Sequence, residues 1–277
     1  YKRQIVDNFN LKSTIMDNQN KLNIQIGTTQ NTDGIYVEVT ENGPYILHGK
    51  PKIVQQFIVP NQQGISINYQ EGEEFEAKDA TYICRCGLSQ HKPYCDGSHK
   101  KATENGVDLT EKATFNPELL TAEVIEGPVV SLTDDEKLCA FARFCDNGKR
   151  IWNQVQDSTQ NSVDLSVEMA HHCPSGRLIV WDENNQPIED DNTSASVGII
   201  EDVTNDLSGP YALWGGIPLK SANGEYYEVR NRQTICRCGQ SSNKPFCDGT
   251  HASMRFQDGY QSNQKQMEKF FNKIILT

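Results

Sequence analysis

The sequence predicts an α+β protein, mostly β, in which one small β-rich unit occurs twice with a helical segment between the copies. Three observations carry this. A cysteine-rich stretch, Cys84-Arg-Cys-Gly-Leu-Ser-Gln-His-Lys-Pro-Tyr-Cys-Asp-Gly-Ser-His99, returns as Cys236-Arg-Cys-Gly-Gln-Ser-Ser-Asn-Lys-Pro-Phe-Cys-Asp-Gly-Thr-His251. Short runs of alternating apolar and polar residues, bounded by Gly, Pro and Asn, precede both copies. Between the copies the apolar period changes to that of a helix.

Taken in order, residues 1–34 read as a polar arm rich in Asn, Gln and Thr, with a weak alternation over Leu22–Ile26. Ile35–Val39, Tyr45–Leu47, Ile53–Val59, Ile65–Tyr69 and Thr81–Ile83 read as strands, the last delivering Cys84. The second copy echoes more than the cysteines. Gly43-Pro-Tyr-Ile-Leu-His-Gly49 recurs as Gly209-Pro-Tyr-Ala-Leu-Trp-Gly215, Val197–Val203 parallels Ile35–Val39, and Tyr226–Val229 parallels the strand before the first motif. Between them, Ser131 with Asp134, Asp135 and Glu136 reads as a helix start, with Leu138, Phe141, Ala142 and Cys145 on one face. A second helix is expected over Ser162–His172, with Val163, Val167 and Ala170 as its apolar face, then a strand at Leu178–Trp181. Met267–Ile275 has apolar residues at helical spacing and reads as a C-terminal amphipathic helix within 262–277.

Both motifs read C-x-C-x8-C-x3-H. Residues two apart on an extended backbone point to the same side, and residues four apart stack on one helical turn. Cys84 with Cys86, and Cys95 with His99, therefore form two pincers; so do Cys236 with Cys238, and Cys247 with His251. Two pincers from separate backbone segments suit a two-iron cluster, for which mixed cysteine–histidine ligation is known chemistry. Three cysteines and a histidine are also a zinc ligand set, although zinc sites usually use C-x2-4-C spacing rather than C-x-C. Pro93 stiffens the approach to the third cysteine, and Asp96-Gly97 supplies a carboxylate and a tight turn.

At these residues the chain resembles the CDGSH iron–sulfur, or NEET-type, family, whose signature C-x-C-x2-[S/T]-x3-P-x-C-D-G-[S/A/T]-H both copies satisfy throughout. Ser89 and Ser241 fill the hydroxyl position, Pro93 and Pro245 the proline, and Ser98 and Thr250 the small residue before the histidine. Lys92 and Lys244 match the lysine that is frequent before the proline. The resemblance covers about half the chain. It implies one redox-active, acid-labile [2Fe–2S] cluster per motif, held by Cys84, Cys86, Cys95 and His99 in one and by Cys236, Cys238, Cys247 and His251 in the other. It also implies that 35–120 and 191–261 are two such domains. A single unit has little core of its own, so the copies are expected to pack as an internal pseudo-dimer, as family members pair in homodimers.

Three cysteines remain. Cys139-Ala-Phe-Ala-Arg-Phe-Cys145 resembles the C-x2-C-x2-C run of bacterial ferredoxins with Ala142 in the middle ligand position, and Cys173-Pro resembles the distal Cys-Pro. Residues 121–190 thus resemble the divergent single-cluster ferredoxin region of longer CDGSH proteins. Two readings stay open. Cys139, Cys145 and Cys173 hold a third cluster, [3Fe–4S] or [4Fe–4S], the latter completed by His171, His172 or a non-protein ligand. Or they are small buried hydrophobes.

The composition narrows the function. The formal charge is −11 over 277 residues with no basic runs, which argues against nucleic-acid or anionic-membrane partners. The cysteine count is odd at nine, six of them in the motifs, so a disulfide framework is a poor explanation and a reducing, cytoplasmic setting is expected. No signal-like or membrane-spanning run is found, no phosphate loop and no nucleophile elbow, so an enzyme is not expected. The sequence points to a soluble electron-transfer protein with pH-sensitive clusters and a redox partner protein. The alternatives are a cluster carrier serving an apo-acceptor, and an accessory subunit of a larger oxidoreductase assembly.

Overall fold

The computed structural model describes residues 34–115, 122–190 and 193–259. The element order is β1 (Tyr36–Val39), β2 (Tyr45–His48), β3 (Lys52–Pro60), β4 (Ser66–Phe75), β5 (Ala80–Ile83), β6 (Glu123–Glu126), β7 (Ser131–Asp134), α1 (Ile151–Gln154), α2 (Gln160–His172), β8 (Leu178–Trp181), β9 (Ser196–Asp202), β10 (Leu207–Trp214), β11 (Leu219–Lys220), β12 (Arg232–Ile235) and α3 (Thr250–Ser253). The weak alternation at Leu22–Ile26 and the helix expected at Met267–Ile275 lie outside the described residues. Among the described residues, no helix is long and apolar enough to cross a membrane.

The strands form three sheets, ordered β11-β1-β2-β5, β12-β10-β9-β3-β4 and β6-β7-β8. The first two are the same three-stranded unit: β1, β2 and β5 in one copy, β9, β10 and β12 in the other. Each is completed from the opposite copy, the first by the single strand β11 and the second by β3 and β4. β3 leaves the first copy and pairs in parallel with β9, from Lys52 opposite Ser196 to Phe57 opposite Glu201. β11 leaves the second copy and pairs in parallel with β1, at Val37–Leu219 and Glu38–Lys220. The chain is an internal pseudo-dimer with exchanged strands.

Exchange gives both copies one core. Val37, Val39, Tyr45, Leu47, Ile53 and Ile83 pack with Val197, Ile199, Tyr211, Leu213, Leu219 and Ile235. β1 and β2 alternate buried and half-buried residues, as a sheet covered on one face should. β10 is buried along its whole length. Its Tyr211 and Leu213 enter the shared core, while Ala212 and Trp214 meet Ala142 and Phe144 of the central segment.

The central segment has its own core, with Leu132, Leu178 and Val180 of the third sheet packed on Ile151, Val163, Met169 and Ala170. α2 begins two residues earlier than the apolar period suggests, because Thr159 caps it by accepting the Ser162 N–H at 3.4 Å. The helix expected after Ser131 does not form. Ser131–Asp134 is β7, Glu136–Leu138 is a single 3-10 turn capped by Asp135, and Phe141 and Arg143 have φ of 55° and 65°. Two left-handed residues, four and two positions before Cys145, exclude a helix there. Packing decides it: Leu132 faces Val180 across the sheet, and Phe144 leaves for the far side of β10.

A second expectation is also corrected. Tyr226–Val229 makes only an isolated bridge, Lys220 to Tyr226, and the strand feeding the second motif is Arg232–Ile235, paired with Tyr211–Trp214. Tyr227 turns instead into the shared core and stacks on Phe115, ring centroids 4.6 Å apart.

Because the core is common property, Leu213→Ala should destabilise both copies at once, by about 2–5 kcal/mol. Calorimetry should show one shifted transition for both sheets; two separable transitions would contradict a shared core.

Candidate metal centres

Each motif is a loop pinned to the strand that enters it. The Cys84 N–H donates to the Pro93 carbonyl at 2.8 Å and the Cys95 N–H to the Tyr82 carbonyl at 2.9 Å. In the second copy the Cys236 N–H donates to Pro245 at 2.8 Å and the Cys247 N–H to Thr234 at 3.0 Å. These bonds fold the third cysteine back beside the first two. Cys84 Sγ and Cys86 Sγ are 3.8 Å apart, as are Cys236 Sγ and Cys238 Sγ. Cys95 Sγ lies 3.2 Å from His99 Nδ1, and Cys247 Sγ lies 3.4 Å from His251 Nδ1. The pincers read from the spacing are thus formed.

The expected helical turn from Cys95 to His99 is not what closes the second pincer. Gly97 and Gly249 sit at φ of 90° and 82°, so the helical residues begin only at Ser98 and Thr250. The aspartate makes the turn. Asp96 accepts the Gln90 N–H at 2.8 Å and the Ser98 N–H at 2.9 Å, which holds its carboxyl well below the usual carboxylate range. Asp248 repeats this with Ser242 and Thr250 at 2.7 and 3.0 Å. Ser89 and Ser241 donate to the Tyr94 and Phe246 carbonyls at 2.6 and 2.7 Å. Lys92 and Lys244 donate to the Ser89 and Ser241 carbonyls at 2.7 and 2.6 Å.

Each site is also built by the other copy. Tyr211 of the second copy donates to the Cys84 carbonyl at 3.0 Å, and Tyr45 of the first donates to the Pro245 carbonyl at 3.0 Å. The two loops touch at their glycines: a Cβ on Gly87 would stand 2.6 Å from the Cys238 oxygen, and one on Gly239 2.5 Å from the Cys86 oxygen. Arg85 and Arg237, between the paired cysteines, are buried under Tyr45 and Tyr211, with guanidinium carbons 5.6 and 5.7 Å from the ring centroids. Sequence reasoning passed over these four residues, although Cys-Arg-Cys and Gly-Pro-Tyr recur in both copies.

The sites differ in exposure. Cys95 and His99 are half-buried, whereas Cys247 and His251 are 3% and 4% exposed. Burial, helped by the charge of Arg237, pushes His251 down to about 4; burial lowers His99 too. Within each Cys-x-Cys pair one S–H stabilises the other thiolate, so Cys84 falls to about 6 and Cys236 to about 7 while Cys86 and Cys238 are driven up. Burial raises Cys95 and Cys247. Protons held on these thiols must leave when metal binds, so affinity rises with pH.

Cys139, Cys145 and Cys173 also come together. Cys139 follows the 3-10 turn, Cys173 ends α2, and Cys145 and Cys173 pack against the central core. Burial and then the charges of Cys173 and Cys139 push Cys145 up to about 11. Arg177, bound to Asp134 through Nη2 at 2.9 Å, lies beside Cys139 and Cys145. Neither candidate histidine is fully at liberty: His171 Nε2 bonds the Ile188 carbonyl at 2.9 Å and His172 Nδ1 the Glu168 carbonyl at 3.0 Å. Ala142 faces the opposite side, toward β10. The segment abuts the second motif, since a Cβ on Gly249 would lie 3.0 Å from the Cys139 oxygen.

The family of iron-binding zinc fingers of CDGSH type matches residues 42–100 and 208–252, and the divergent 4Fe-4S mono-cluster family matches residues 125–183. No curated protein and no solved structure matches the chain. The matched regions support an iron–sulfur protein. Two regions of the chain match the CDGSH-type iron-binding family, and they flank a region that matches the divergent 4Fe-4S mono-cluster family.

Gly239→Ala places a methyl group against the Cys86 carbonyl from a left-handed residue, and should cost more than about 1 kcal/mol. Iron retention at the first motif should fall although the substitution lies in the second, read by chelator challenge. Undiminished retention at the first motif would show that the loops are independent.

Proposed function

We propose that the chain carries electrons on two [2Fe–2S] clusters, one on Cys84, Cys86, Cys95 and His99, the other on Cys236, Cys238, Cys247 and His251. The observation that carries this reading is the doubled pair of pincers. Three soft thiols and one imidazole fit a two-iron cluster. A single tetrahedral zinc fits less well, because zinc sites usually use C-x2-4-C spacing rather than the C-x-C found in both motifs. Each cluster, when bound, takes up and returns one electron.

The protein's own groups supply the rest. Each histidine offers Nδ1 to the site and keeps Nε2 for a proton. An imidazole titrates near neutrality where thiolates on iron do not, so electron affinity is coupled to pH through Nε2. Water reaches the half-buried His99, and His251 is shielded. The same open lip supports the second reading, in which His99 is the latch for handing a cluster to an apo-acceptor.

A third cluster, [3Fe–4S] or [4Fe–4S], on Cys139, Cys145 and Cys173 is part of the proposal. The mutual approach of the three thiols and the matched mono-cluster family support it. The partners are a redox protein or an apo-acceptor, and the chain acts as a carrier rather than an enzyme, alone or as a subunit of an oxidoreductase assembly. A reducing compartment such as the cytoplasm suits nine free cysteines.

Acid should bleach the visible absorption in two phases, the faster from the first motif. His99→Cys should remove the fast phase and flatten the pH dependence of that site's potential; an unchanged pH-titrated voltammogram rejects the proton-coupled role. Cys145→Ala should lower iron per chain by the third cluster's share alone. An unaltered iron count would leave the central cysteines as core residues. Mixing loaded protein with apo-ferredoxin separates relay from delivery: clusters that stay in place while electrons pass favour relay.

A further inference from the structure

The two motifs are copies of one design, so each serves as a control for the other. At the second, the buried Arg237 meets two buried carboxylates, Glu201 through Nη2 at 2.7 Å and Asp258 beside it. At the first, Arg85 is equally buried, but its three hydrogen bonds, 2.9 Å each, end on the carbonyl oxygens of Gly43, Leu109 and Thr40.

The difference is a matter of two positions. Val39 faces Tyr45 as Ile199 faces Tyr211, so Glu41 occupies the place of Glu201. The Val107 N–H returns to the Ala102 carbonyl as the Phe256 N–H returns to that of His251, so Leu109 occupies the place of Asp258. Glu41 is exposed to water, which screens it, and Leu109 has no charge. A second acid on this side, Glu111, commits its carboxylate to the Ala222 N–H and the Tyr227 hydroxyl at 2.9 and 2.7 Å. All three line one open cleft of about 460 Å³ with Arg85, while Glu201 and Asp258 are sealed against Arg237.

An added electron is an added negative charge beside these guanidiniums. A cation without a bonded carboxylate stabilises it; one already neutralised in a buried setting does so far less. Exposure acts in the same direction, because water reaches Cys95 and His99 and is kept from Cys247 and His251. We propose that Glu201 and Asp258 lower the electron affinity of the second site relative to the first, so that an electron on this chain rests at the first, exposed site. One electron leaves the second site and one arrives at the first. The second site, against the Cys139 segment, is the inner station, and the first faces the partner. The inference rests on the two-cluster reading above.

The test is a redox titration of the full chain, loaded anaerobically, at pH 8 and followed by EPR. Cys95→Ser confines the signal to the second site and Cys247→Ser to the first. The electron should prefer the first site by about tenfold or more, which is about 59 mV for a one-electron couple. Asp258→Asn should raise the second potential more than the first, whose Lys92 donates to the Asp258 carbonyl at 3.0 Å. Leu109→Asp should lower the first, and it carries the test if Asp258→Asn fails to load. With four irons bound at the two motifs, equal or inverted potentials, or a first potential indifferent to Leu109→Asp, overturn the inference alone. A chain that takes up no iron overturns the two-cluster reading itself.

Discussion

The exchange of β3 and β11 between the copies is the constraint from which the rest follows. Six residue pairs join β3 to β9, and two join β11 to β1. Neither copy can then close its sheet, or bury Tyr45 and Tyr211, without the other. A cluster-binding loop has few apolar residues of its own. It is held by the strand it follows, by a tyrosine from the opposite copy and by the glycine contact across the pseudo-twofold axis. Duplication within one chain supplies both halves of that arrangement at fixed stoichiometry.

Fixed stoichiometry also frees the copies to diverge. In a symmetric dimer the two arginines would have identical surroundings. Here Glu201 and Asp258 are sealed against Arg237, burial pushing Glu201 up to about 7 against the pull of that guanidinium, while Arg85 keeps only carbonyl partners. The lip of the first site is open and that of the second is covered. The central segment leans on the second site alone among the contacts described, through Cys139 at Gly249 and Asn243 at the Lys137 carbonyl, 3.2 Å away.

Much of this was legible in the sequence because it is local. The Cys-x-Cys pincers follow from two-residue spacing, and the alternation of Tyr36–Val39 and Tyr45–His48 reports a sheet covered on one face. What was not legible depends on partners distant in the chain. Nothing near Lys52 announces that its strand will pair with Ser196. The run from Leu138 to Cys145 has a helical apolar period, yet its residues divide among three hydrophobic clusters, and Phe141 and Arg143 take left-handed conformations. Tyr226–Val229 looks like a strand because its aromatic residue serves the shared core rather than a ladder.

The account stands on paired irons in both duplicated pockets, and Mössbauer spectroscopy with elemental analysis of anaerobically purified protein tests that most directly. The predicted spectrum contains coupled iron pairs with two inequivalent members, one held by sulfur alone and one by sulfur and nitrogen, at four irons for the two motifs. Zinc in place of iron, or isolated mononuclear iron, would contradict it.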